Sequence, residues 1–92
     1  MGEARQSVTI VNRRGLHARA SAKFVGAVAA LPDGFKVTVT KAPNSAAGGS
    51  ILGLMMLGAA KGDCVEVAVE GDGAEAVLGE LVALIADGFG ED

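Results

Sequence analysis

One histidine, His17, is the residue best suited to covalent chemistry, and it is the only histidine among the 92 residues. A strand-like run at 7–11 precedes it, and a helical pattern follows it. That pattern repeats apolar residues at Ala20, Phe24, Val28 and Leu31. His17 is therefore predicted at the first turn of a helix, where unpaired N–H groups and the helix dipole favour anions. Arg13, Arg14 and Arg19 add positive charge nearby. An imidazole in such a place favours carrying a phosphoryl group.

The residues around His17 leave a second interpretation open. A lone histidine is often an ordinary surface or helix-capping residue, with no reactive role. Gly15 permits a tight turn before the helix, and Leu16 can turn inward while His17 points out. From residue types and spacing alone, the reactive and the capping interpretations both stand.

Strand and helix patterns alternate along the rest of the chain and must position His17. Strands are predicted at 7–12, 35–41, 45–47 and 64–70. Helices are predicted from about 16 or 18 to 31, at 51–57, and from 72 to 88. Strands in which apolar and polar residues alternate need one buried face, and helices with one apolar face need a sheet to pack against. The order β-α-β-β-α-β-α therefore predicts an α+β sandwich in which helices cover one sheet.

Residues 1–92 are predicted to form a single domain with an ordered core at about 7–88. Asp72 is the predicted N-cap of the last helix, and Glu75, three residues later, completes a capping-box pattern. Gly88 is expected to end that helix, and residues 89–92 to fray.

Charge and composition exclude several classes of function. The net charge is −3, with five of the eight basic residues in the first 23 positions, and 62–92 carries nine acids without a base. This balance argues against nucleic-acid binding. The longest apolar run, at 51–60, is about half the ~20 residues that a membrane helix needs. Cys64 is the single cysteine, so no internal disulfide can form, and a cytoplasmic location fits.

Two segments resemble one known family. Gly15-Leu16-His17-Ala18-Arg19, preceded by a strand ending in Val11-Asn12, is similar to the active-site segment of HPr. HPr is the histidine-containing phosphocarrier family of the bacterial phosphotransferase system. The stretch from Ser50 to Gly62 resembles that family's regulatory-serine segment, and its apolar sequence is closest in character to alphaproteobacterial and nitrogen-branch members. Ala20 departs from the family pattern, which usually has proline there.

The resemblance implies a fold, an activity and partners. The implied fold is an open-faced sandwich of four antiparallel strands with three helices on one side. His17 would accept a phosphoryl group from enzyme I and pass it to an enzyme IIA-type acceptor, and Arg19 would stabilise it. Ser50 would be a regulatory phosphorylation site, with an HPr kinase/phosphorylase as a further partner. No cofactor and no metal are implied, and a monomer is expected.

The segment at 51–57 is apolar nearly all round, so a short helix there cannot bury every face. Part of it must be core. Ile51, Leu52 and Met55 are predicted to form an exposed partner-binding patch beside the histidine, since unbranched methionine suits surfaces that bind several partners. Ala20 and Ser21 are assigned to the same partner contact.

Two rival functions belong to other classes. A self-contained enzyme with His17 as general base lacks a second histidine, a nucleophile elbow, a phosphate loop and a cluster of metal ligands. A phosphoryl carrier is therefore favoured over an enzyme. A non-catalytic regulatory binding module, using the 51–57 patch with His17 incidental, is the alternative.

Overall fold

The frame of the molecule is a four-stranded sheet. A computed structural model describes residues 2–91. Its elements are β1 (Glu3–Thr9), α1 (Ala18–Ala29), β2 (Lys36–Lys41), β3 (Asn44–Ala47), α2 (Ile51–Met56), β4 (Cys64–Glu70), α3 (Ala74–Ala86) and a 3₁₀ turn (Gly88–Gly90). The strands lie in the order β1-β4-β2-β3, and every neighbouring pair is antiparallel. The predicted α+β sandwich, an open sheet with three helices, is confirmed.

One face of the sheet builds the core. Val65, Val67 and Val69 of β4 alternate with more exposed residues and are at most 2% exposed. β4 lies between β1 and β2, with Val65 opposite Val8 and Val67 opposite Val39. Alternation of valine with polar residues suits a strand with one wet face, which is why this strand is predictable from sequence.

The helices contribute the other half of the core. Phe24 of α1, Leu54 of α2, and Leu81 and Ile85 of α3 are each at most 2% exposed. They pack into the same apolar cluster as the valines of the sheet. Since α1 begins and α3 ends beside the loop after β1, packing on the sheet fixes His17 relative to the end of the chain.

β1 lies closer to the start of the chain than the sequence predicts, and it ends at Thr9, not at residue 12. β1 begins at Glu3, not at residue 7, because pairing with β4 extends from Thr9–Cys64 to Glu3–Glu70. Arg5 in this extension bonds Glu3 at 2.9 Å and Glu66 at 3.4 Å. Mostly polar residues at an edge strand leave little hydrophobic alternation, so sequence pattern underestimates its length.

The predicted cap of the last helix is wrong. α3 has Gly73 as its N-cap, at φ 83°, and no side chain caps it. Gly71 and Gly73 both take positive φ, and Ala74 N–H donates to Gly71 O at 3.2 Å, so backbone conformation closes this turn. Glu75 still lies in the first turn of α3. No helix within residues 2–91 has the length and apolarity that crossing a bilayer requires.

Candidate functional site

A tight turn places His17 at the start of α1. Gly15 has φ 64°, and a Cβ atom there would lie 2.4 Å from the carbonyl oxygen of Ala59. Leu16 N–H donates to that same carbonyl at 3.0 Å, and the Leu16 side chain is 6% exposed. Only glycine fits this conformation and this approach. The backbone of Gly15 and Leu16 is therefore fixed against Ala59. His17 follows directly and precedes the first residue of α1, Ala18.

His17 is the N-cap of α1. Its ring nitrogen Nδ1 accepts from the backbone N–H of Arg19 at 3.3 Å, and its carbonyl accepts the first helical bond, from Ser21 N–H, at 2.9 Å. The imidazole thus faces the helix-start amides, as the sequence predicts. Its side chain is only 16% exposed, so it is less open to solvent than predicted.

The side chain that shields the His17 ring from solvent is that of Glu91. Its Oε2 lies 2.7 Å from His17 Nε2, and its Oε1 accepts from Asn12 Nδ2 at 3.1 Å. Asn12 Nδ2 also donates to Gly15 O at 2.8 Å, and Asn12 is 1% exposed. Glu91 is therefore tied to the turn that presents the histidine.

The prediction that residues 89–92 fray is wrong for 89–91, and Asp92 lies outside the described residues. The Phe89 ring is 1% exposed, although its backbone takes φ 58°. A left-handed conformation costs a non-glycine residue roughly 1–2 kcal/mol, which burial of an aromatic ring offsets. Lys23 Nζ donates to Phe89 O at 2.6 Å. These contacts anchor the chain just before Glu91.

The pKa of the Glu91 carboxyl reflects competing influences. Loss of solvent contact favours the neutral acid and raises the pKa. Hydrogen bonds from Asn12 and His17, the charge that His17 carries when its ring is protonated, and the charge of Lys23 act in the opposite direction and together outweigh it. The pKa lies below its ordinary value of 4.5. Glu91 is therefore an anion at neutral pH, and a carboxylate can only accept, so His17 Nε2 must be the donor.

An open cavity of about 360 Å³ lies beside the imidazole. His17, Glu91 and Gly90 line it together with four basic side chains: Arg13, Arg14, Arg19 and Lys23. Arginine can contact two oxygens of one phosphoryl group, and the α1 amides add donors. The cavity therefore suits a small anion beside the His17 ring.

Ser50 lies at the start of the second helix. Its Oγ accepts from Gly53 N–H at 2.9 Å, so it is the N-cap of α2, as predicted. α2 packs against α1. Ser50 is therefore held on the helix that neighbours the histidine helix.

The exposure predicted for α2 is confirmed. Ile51, Leu52 and Met55 are 41%, 67% and 40% exposed, whereas Leu54 is buried. Met56, at 74%, and Val11, at 44%, are further exposed apolar side chains that the sequence prediction omitted. We call Ile51, Leu52, Met55 and Met56 the α2 patch.

Ala20 and Ser21 are not part of an exposed surface. Both are 0% exposed, and Ser21 Oγ donates to Leu16 O at 3.2 Å. The predicted partner contact through their side chains is therefore corrected, because α1 turns this face toward the core. Ala20 precedes the first helical hydrogen bond, so the ladder of α1 does not need its N–H, and the fold tolerates alanine where proline is usual.

Glu91, Asn12 and Lys23 are the site residues that sequence reasoning missed. A phenylalanine between two glycines, Gly88 and Gly90, is the available signal, because a large apolar residue in a turn implies an anchored segment. Sequence does not say which group such an anchor meets. Within residues 2–91, no group of three or more His, Cys, Asp and Glu side chains is arranged to hold a metal ion.

Comparison with known proteins identifies similar chains over nearly the whole length. The family model described as the PTS HPr component phosphorylation site matches residues 4–87. The chain is 44% identical over 85 residues to phosphocarrier protein HPr of Pseudomonas aeruginosa, covering 91% of this chain and 92% of that one. It is 34% identical over 91 residues to phosphocarrier protein NPr of Shewanella violacea, covering 99% and 98%.

A solved structure gives the same result for the fold. The crystal structure of HPr from Thermoanaerobacter tengcongensis superposes with a TM-score of 0.85 at 36% identity, covering 100% of this chain and 99% of that one. The similarity thus extends over every element described above.

Proposed function

The chain belongs to the HPr family and is a phosphocarrier of the phosphotransferase system, and we propose that His17 Nδ1 is the atom that accepts the phosphoryl group. As a family member, it exchanges phosphoryl groups with other proteins of that system.

The observation that carries the proposal is the orientation of the imidazole. Arg19 N–H donates to Nδ1, so Nδ1 has a lone pair and no proton. The ring stands at the start of α1 and lines the cavity together with four basic side chains. A nucleophilic nitrogen and donors for phosphoryl oxygens therefore occupy one place.

Arg19 is the residue that we assign to phosphoryl stabilisation. It is exposed, lines the cavity, and follows His17 by two positions. In transfer, its guanidinium would replace water around two phosphoryl oxygens. Arg13, Arg14 and Lys23 supply further positive charge at the rim.

Enzyme I is the proposed phosphoryl donor and an enzyme IIA-type protein the proposed acceptor, with the cytoplasm as the location. The α2 patch is their proposed docking surface, since Leu52 and Met56 are more than half exposed on a helix next to α1. Exposed apolar side chains at this density mark interaction surfaces. A partner covering this patch would also lie over the histidine helix.

Ser50 is the proposed regulatory site, with an HPr kinase/phosphorylase as the enzyme. A phosphate there would be accommodated locally, because it sits at a helix start. It would also place about two negative charges beside the apolar α2 patch. Phosphorylation would therefore weaken docking without unfolding the chain.

The experiment is phosphorylation by phosphoenolpyruvate and enzyme I, followed by intact mass. Wild type should gain one acid-labile phosphoryl group, and His17→Ala should gain none. Glu75→Ala is the control, since Glu75 is exposed at the opposite end of α3 from Glu91. Acid-labile uptake by His17→Ala would disprove the assignment. Failure of wild type to accept the group would instead favour a binding module that uses the α2 patch.

A further inference from the structure

The contact between Glu91 and the imidazole has no place in the proposal above. His17 uses both ring nitrogens: Nδ1 accepts from Arg19 N–H at 3.3 Å, and Nε2 donates to Glu91 at 2.7 Å. Both hydrogen bonds favour the same tautomer of the ring, with the proton on Nε2. A proton on Nε2 leaves the lone pair on Nδ1, where it accepts from Arg19 N–H until the phosphoryl group arrives, and a carboxylate on Nε2–H keeps the proton there.

We infer that Glu91 is a positioning residue for phosphoryl transfer, which holds the Nε2–H of His17 and balances the positive charge that the ring takes when Nδ1 bonds to phosphorus. This inference rests on the proposed role of His17 as the acceptor.

The transfer step shows why the charge matters. The Nδ1 lone pair is released by Arg19 N–H and forms a bond to phosphorus, while the bond from phosphorus to the phosphorylated donor protein breaks and its electron pair leaves with the donor. The ring keeps its Nε2–H and becomes positive. A carboxylate 2.7 Å away then faces a cation, and a hydrogen bond between charged groups is about twice as strong as a neutral one. The contact is therefore strongest in the state that transfer produces.

The position of Glu91 is built into the fold. Asn12 is 1% exposed and uses one amide to join Glu91 Oε1 to Gly15 O, the turn residue before the histidine. Phe89 fixes the backbone two residues earlier, and Lys23 holds its carbonyl. The carboxylate thus reaches Nε2 from the side of the ring opposite the helix amides. The carboxylate contacts Nε2 and not Nδ1.

Two readouts test the inference, on wild type, Glu91→Gln and Glu91→Ala, with Glu80→Gln as the control. Glu80 is exposed on α3, the helix before the segment that carries Glu91, so its substitution removes the same charge away from His17. The first readout is the proton spectrum of the unphosphorylated ring, edited through its nitrogen-15 atoms. The wild-type Nε2–H proton should resonate far downfield, as a proton bonded to a carboxylate does, and should move upfield in both Glu91 variants only.

The second readout is single-turnover transfer from phosphorylated enzyme I at increasing carrier concentration. The limiting rate constant should fall about tenfold in both Glu91 variants, the size expected for one charged hydrogen bond, with the half-saturating concentration unchanged. Glu80→Gln should match wild type in both quantities. Circular dichroism on the same samples confirms that the variants are folded.

The outcomes separate the two ideas. Wild-type transfer by Glu91→Gln, a faster limiting rate, or a change in half-saturation alone would overturn the positioning role while leaving His17 as acceptor. Acid-labile uptake by His17→Ala would instead overturn the proposed function, whatever the Glu91 variants do.

Discussion

The two helix starts near the proposed docking surface use the same backbone device in different surroundings. At α1, His17 Nδ1 accepts from Arg19 N–H, and at α2, Ser50 Oγ accepts from Gly53 N–H. His17 lies among basic side chains with a carboxylate behind it, whereas exposed apolar residues follow Ser50. The proposed roles of the two capping side chains, phosphoryl acceptor and modification target, therefore differ because their surroundings differ.

The largest expected effect comes from exchanging each cap for asparagine, which is itself a favoured N-cap. His17→Asn should keep a helix cap and lose phosphoryl uptake entirely, since an amide nitrogen is not a nucleophile. Ser50→Asn should keep both the cap and the uptake. Intact mass after incubation with enzyme I and phosphoenolpyruvate measures uptake, and thermal melting measures the cap. Uptake by His17→Asn would show that the cap position, not the imidazole, is what matters.

A negative charge at Ser50, the N-cap of α2, should weaken docking of enzyme I. Ser50→Asp places a carboxylate beside the α2 patch, and covering it with a partner would cost desolvation. The half-saturating carrier concentration for transfer from enzyme I should rise roughly tenfold, equivalent to about 1.4 kcal/mol. The limiting rate constant should hold.

Ser45→Asp is the matched control for that charge. Ser45 is exposed on β3, next to the buried Ala46 and so on the face of the sheet away from the core. Equal effects of Ser45→Asp and Ser50→Asp would mean that net charge, rather than the α2 patch, governs docking.

Removing the second cap gives a smaller effect, on stability. Ser50→Ala leaves Gly53 N–H without its 2.9 Å acceptor. Loss of a serine cap costs about 1 kcal/mol, which in a domain of this size lowers the melting temperature by about 4–8 °C. Differential scanning calorimetry checks this against Ser45→Ala on β3. Equal melting temperatures for the two variants would show that the cap adds nothing to α2.

The same comparison shows how far sequence reasoning extends. Both caps are local, since a side chain at the start of an apolar pattern needs only the next three residues to find its donor. The cap roles of His17 and Ser50 follow from that pattern, as does the buried face of β4. The exposure of Leu52 follows as well, because six residues of helix with apolar residues all round exceed what the core can cover.

The prediction failed where distant segments meet. Glu91 contacts residues 74 and 79 positions earlier, and no periodicity records such a pairing. The buried ring of Phe89 with its positive φ depends on tertiary packing that overrides the local tendency of a glycine-flanked end to fray. At Gly73, backbone conformation replaced the aspartate cap that the sequence pattern favours. The position of His17 at a helix start is therefore foreseeable from sequence, and the carboxylate beside its ring is not.

The smallest expected effect is on the pH dependence of stability, to which Glu91 beside the His17 cap contributes and the Ser50 cap does not. Because the pKa of Glu91 in the folded protein is lowered below 4.5, its contribution to stability is fully present above that ordinary value and is lost as the pH falls through the lowered one. The difference in unfolding free energy between wild type and Glu91→Gln should therefore shrink toward zero on acidification. The Ser50→Ala difference should stay constant, since a hydroxyl does not titrate there. Urea unfolding over the acid range measures both. A Glu91→Gln difference that persists in acid would mean that the contribution of Glu91 to stability does not depend on ionisation of its carboxyl group.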